Sequence, residues 1–180
     1  MIIAEDKRKN NIAEYILYMW QVEDMIRAFH MNIDLIDKNV ISHFGISESK
    51  KKKITNWYEG LIDLMKEEKI EEKGHFQFLS SILDKLFHLH LELLKNSDNK
   101  KYIELFRLAK PNIITYRNKS ELTDCNDIDV CFHALYSLLL MRLSKKTISG
   151  ETSKAMSTFS NMIAYLSIEF KNFEKLQKKN

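Results

Sequence analysis

The sequence predicts an all-α fold: one domain over residues 1–180, built as a bundle of six to seven helices. Three observations carry this. Glycine and proline are scarce, four and one in 180 residues, whereas an all-β chain needs turn residues at about every tenth position. Apolar residues recur at helical spacing, every three or four positions. Strand alternation is absent. With 44% hydrophobic and 11% aromatic residues, the chain has the apolar mass for a substantial core, and its length suits one domain rather than two.

Seven helical segments follow in order. The first is predicted from Glu5 to His30. A short one runs from Asp34 to Phe44, with Gly45 as a stop signal. Ser47 is a candidate N-cap for the third, which continues to Ile70. Its apolar stripe is Ile54, Trp57, Tyr58, Leu61 and Met65. Gly74 separates it from the fourth, His75 to Lys95, lined by Leu79, Ile82, Leu83, Leu86, Leu93 and Leu94. The fifth spans Lys100 to Arg117 and is interrupted or kinked at Pro111. Thr123 or Asp124 caps the sixth, CFHALYSLLLM, which is apolar nearly all round and so marks a central helix. The seventh runs from Glu151 to Gln177, with Met156, Phe159, Ile163, Leu166, Phe170 and Phe173 on one face. The tail Lys178–Asn180 is expected to fray. The first and sixth helices are expected at the centre.

The charge balance, 28 basic against 25 acidic residues, implies no obligate polyanion partner. Only five of the basic residues are arginine, which points away from nucleic acid. The run Lys50–Lys53 is a local exception, because four cations in a first helical turn oppose the helix dipole. A bound anion or acidic partner would relieve that conflict, as would solvation. No signal peptide or membrane span is apparent. Cys125 and Cys131, six apart on one predicted helix, point in different directions; reduced thiols and a cytoplasmic location follow.

The first segment poses the functional question. On a helical projection Tyr15, Met19, Val22, Ile26 and Phe29 form its core face. The far side carries Glu14, Leu17, Gln21, Asp24 and Ala28, with Ile16, Trp20, Glu23 and Arg27 between. Glu23 and Arg27 have the spacing of a helical ion pair. Leu17 and Trp20 do not belong on a solvent face, so they are candidate interface residues for a homo-oligomer, unless the chain covers them itself.

Complete catalytic patterns are missing. Asp129, His133 and Ser137 lie on successive turns of one helix, a poor arrangement for a triad; the spacing favours an Asp129–His133 contact that orients the imidazole. His90 projects from an apolar face. A di-iron bundle would need two Glu-x-x-His strings, and the chain has one, Glu72 to His75, across a helix break. No cofactor or metal is implied. Two function classes remain: a non-enzymatic, self-associating helical interaction module, and a small-ligand or metal-dependent enzyme using Tyr18, Gln21, Asp24 and Arg27 with His90 and His133 opposite.

The block NIAEYILYMWQVEDMIRA, Asn11 to Ala28, follows the short basic start Ile3–Lys9. It resembles a bacterial all-helical family of unknown function whose members are about as long as this chain. The resemblance implies a small cytoplasmic bacterial protein, and no activity, cofactor or catalytic residue.

Overall fold

One asparagine divides the predicted first segment in two. In the computed structural model, which describes residues 2–177, the chain forms α1 (Ile2–Asn10) and α2 (Ile12–Ala28). Asn11 between them is extended, and its side-chain oxygen accepts from the amides of Ala13 and Glu14. An N-cap of this kind satisfies orphan amides of a new helix, so α2 starts afresh. Two left-handed residues, His30 and Met31, then turn the chain into α3 (Ile33–Asn39), capped by Asn32. A 3₁₀ turn, Ile41–His43, leads to α4 (Glu48–Glu67). The rest are α5 (Gln77–Lys95), α6 (Lys100–Lys119), α7 (Asp127–Leu143) and α8 (Gly150–Gln177). The described residues thus hold eight α-helices, more than the six to seven expected, because Asn11 splits the first. The tail expected to fray lies outside the described residues.

Three boundary expectations are corrected. Pro111 does not interrupt α6. It removes one backbone donor, but Pro111 and Arg107, one turn before it, are both exposed, so the freed carbonyl can turn to water. The N-cap of α7 is Asn126, not Thr123 or Asp124; Asn126 and Asp129 bond each other's backbone amides in a capping box. Asp129 is thereby committed to the helix end, and among the described residues it makes no hydrogen bond or ion pair with His133 to orient the imidazole as expected. Cys125 lies in the turn before α7 rather than within it.

The long α8 packs against α2, α5, α6 and α7, and α7 packs against α2, α5 and α6. The centre is therefore α7 with α8, and α2 lies beside them. Of the predicted α8 stripe, Met156, Phe159, Ile163, Leu166 and Phe170 are buried, while Phe173 is exposed. Arg8 of α1 clamps onto this helix through two bonds to Glu174, at 2.5 and 3.0 Å, the bidentate geometry that suits a guanidinium. No helix among the described residues is long and apolar enough to cross a membrane.

Candidate functional site

The polar groups of α2 converge on the loop between α4 and α5. Glu23 is fully buried. One carboxylate oxygen accepts from the backbone N–H of Phe76 at 2.8 Å, and the other bonds Nδ1 of His75 at 2.6 Å. Arg27 spans the same loop. Its Nη2 donates to the carbonyls of Ile70 at 3.1 Å and Gly74 at 2.5 Å. The loop can present those carbonyls because Lys69 and Gly74 adopt positive φ, 57° and 97°. At Gly74 a side chain would also crowd Ile70, 3.3 Å from the nearest methyl, so glycine is required there.

Arg27 makes its ion pair with Asp24, at 3.1 Å, rather than with Glu23 as the spacing predicts. The second oxygen of Asp24 accepts from the Tyr136 hydroxyl at 2.6 Å. Burial, reinforced by that carboxylate, pushes the Tyr136 phenol well above its ordinary range. Trp20 fills the centre. Its indole is stacked on His75 with ring centroids 4.1 Å apart, meets Tyr136 edge-on at 5.4 Å and lies 5.2 Å from His133. Its Nε1 is buried with no hydrogen-bond partner among the described residues. Burial, and then the neighbouring His75, lower the pKa of His133.

This arrangement determines which His75 nitrogen is available. A carboxylate only accepts, so Glu23 holds the proton on Nδ1, leaving Nε2 as the imidazole's remaining site. His75 keeps 27% of its side-chain surface exposed while its carboxylate partner keeps none.

Of the residues singled out in the sequence, Asp24, Arg27 and His133 join this cluster. His90 does not. It is sealed against Phe87 and Phe106, with Nδ1 bonded to the Tyr102 hydroxyl at 2.7 Å. Burial pushes its pKa down to about 4, so it is a neutral core residue. Tyr18 is half-buried against the core, and Gln21 is half-exposed and takes no part in these bonds. Trp20 is only 1% exposed and Leu17 packs on the core. The chain covers Trp20 itself, so Trp20 offers no interface, a correction to that expectation, while Leu17 is half-buried on a side where Glu14, Asp24 and Ala28 are exposed. Ser137 bonds the Tyr116 hydroxyl, at 3.0 Å, rather than His133.

A separate groove opens between α1 and α4. It has a volume of about 730 Å³ and is lined by Ile3 of α1, Phe44 and Ile46 of the connecting loop, and Ile54 and Trp57 of α4, with Lys50 and Lys53 on the rim. A second hollow of about 340 Å³ adjoins it, sharing Glu5 and Trp57. The lysine run divides here. Lys50 and Lys53 face the groove, whereas Lys51 pairs with Glu48 at 3.0 Å and, with Lys52, lines a polar hollow beside α3.

A family model described as a domain of unknown function, DUF4924, matches residues 1–177. The chain belongs to this family. No curated protein and no solved structure matches it.

In this DUF4924 chain, sequence reasoning missed Glu23, His75 and Tyr136 as parts of one cluster. The buried face of α2 is rotated by about one position from the projected core face. The buried set is Ile12, Ala13, Ile16, Met19, Trp20, Val22, Glu23 and Ile26, with Tyr15 and Phe29 only half-buried. The available signal was Trp20 itself: a tryptophan aligned with Ile16 and Glu23 marks a covered face, and a covered glutamate needs partners.

Proposed function

We propose that this DUF4924 chain is a non-enzymatic helical binding module that takes a small apolar-chain ligand in the groove between α1 and α4. The observation that carries this reading is the course of the α4 apolar stripe. Tyr58, Leu61 and Met65 enter the core, but Ile54 and Trp57 line a groove whose volume lies in the range of small-ligand sites. A cytoplasmic setting with reduced cysteines belongs to the same reading. Self-association loses its main footing, since Trp20 is covered within the monomer; light scattering at high concentration should return a monomer.

The test uses Trp57 as its own reporter, because the other tryptophan, Trp20, lies in the interior. A neutral single-chain surfactant such as dodecyl maltoside, kept below micelle formation, should shift the emission saturably, and Trp57→Phe should abolish the shift. An unsaturable or absent response in the wild type would remove the reading.

The Glu23–His75 bond favours a second reading, an imidazole poised for proton transfer or nucleophilic attack through Nε2. Carbethoxylation by diethyl pyrocarbonate measures it. His75 should react faster than the exposed His30 and slow on Glu23→Gln; equal rates for the two histidines would sink this alternative.

A further inference from the structure

We infer that the ligand of the α1–α4 groove is a single-chain amphiphile with one anionic head group, held by Lys50 and Lys53 with its chain running toward Trp57. This rests on the groove reading above and adds the ligand's chemical class and direction. Lys50 and Lys53 are one turn apart on α4, so both project over the same rim. Neither side chain makes a hydrogen bond or ion pair with the described residues, unlike that of Lys51 between them. They stand in the first two turns of α4, where the positive end of the helix dipole already favours an anion. Ser47, the N-cap residue, makes no side-chain cap bond there. Cations placed against that dipole destabilise the free helix end, and an anionic head group relieves both repulsions at once.

The rest of the groove is mostly apolar, with Glu5 and His43 as its polar lining residues. Phe44, Ile46, Ile54 and Trp57 offer a hydrocarbon chain surface, and the lysine stems extend it to the rim. Glu5 lies on the α1 wall and borders both hollows. The lysines that line the main groove, Lys50 and Lys53, are both on α4, so the head sits at α4 and the chain points inward. The adjoining hollow past Trp57 gives a longer chain room to continue.

Titration of Trp57 emission with dodecanoate and with dodecyl maltoside, both below micelle formation, separates the two levels of the proposal. In the wild type dodecanoate should bind the more tightly. Lys50→Gln/Lys53→Gln should weaken dodecanoate about tenfold, the factor made by losing about 1.4 kcal/mol, and leave the neutral surfactant unchanged. Equal affinity for both ligands, insensitive to the lysines, overturns the anionic class and leaves the groove reading standing. Binding of neither ligand overturns both. A response seen only with vesicles of anionic phospholipid would identify a membrane surface as the partner and overturn the single-chain ligand. Both lysines are at the surface and unpaired, so the double variant should keep the wild-type circular dichroism.

Discussion

The imidazole of His75 lies nearly parallel to the indole of Trp20, at 11° with centroids 4.1 Å apart, and the Glu23 carboxylate behind it holds it there. A tryptophan that the helical projection places toward solvent is thereby closed in by a loop some fifty residues further along the chain. Trp20, Glu23 and Arg27 act together as a clamp of α2 on the loop between α4 and α5.

The first consequence concerns Trp20. Its ring touches His75, Phe132, His133 and Tyr136, so Trp20→Ala opens a large cavity at the meeting of three elements. Urea denaturation should show a loss of about 3–5 kcal/mol, the usual cost of emptying an aromatic core site. Trp20→Phe should cost clearly less, because it keeps most of the stack and removes an indole N–H that has no partner among the described residues.

Glu23 separates packing from hydrogen bonding. Replacing it with alanine strands the Phe76 amide and releases His75. Two bonds to a buried carboxylate are lost, and bonds to charged groups are worth about 1.5–3 kcal/mol each. Glu23→Ala should therefore destabilise by about 3 kcal/mol or more, and Glu23→Gln by less, since an amide oxygen can still accept from Phe76. Hydrogen exchange at the Phe76 amide should rise by a larger factor than at the Leu79 amide, one turn into α5. Equal rises at both would mean global unfolding rather than release of the clamp.

Arg27 tests the loop itself. Its guanidinium reaches two carbonyls and Asp24 simultaneously, a geometry that an ammonium cannot reproduce. Arg27→Lys should lower global stability by only about 1 kcal/mol while markedly accelerating proteolytic cleavage between Lys69 and Lys73. Unchanged cleavage would show that the loop is held by Glu23 alone.

Core and site differ in how far the local sequence encodes them. The stripes of α5 and α8 were legible because each presents one face to one partner set: Leu79, Ile82, Leu83 and Leu86 are all buried, as are Met156, Phe159, Ile163 and Leu166. Alpha2 was harder, because it is enclosed on two sides, with the bundle against one and the α4–α5 loop against the other. Only a narrow exposed edge with Glu14, Asp24 and Ala28 is left to orient a projection. His75 was invisible because its importance comes from a contact across 52 positions, which local spacing does not encode. The lysine run reads in the sequence as an electrostatic conflict, but only the structure shows that two of its members face the groove and the other two do not.

The last prediction follows from His90. Burial among Phe87, Tyr102 and Phe106 pushes its pKa down to about 4, against an unfolded value near 6.5. The folded state therefore resists a proton that the unfolded state accepts. Stability is unaffected by this group above about pH 6.5, falls as pH drops toward about 4, and levels off below it. Each pH unit across that window costs up to about 1.4 kcal/mol, so the full loss is about 3 kcal/mol. His133, also lowered by burial, adds a slope of the same sign. His90→Gln keeps a side chain able to bond the Tyr102 hydroxyl but removes the titrating group. Urea midpoints measured from pH 7 to 4 should fall less steeply in His90→Gln than in the wild type, and parallel curves would show that His90 contributes nothing to the acid response.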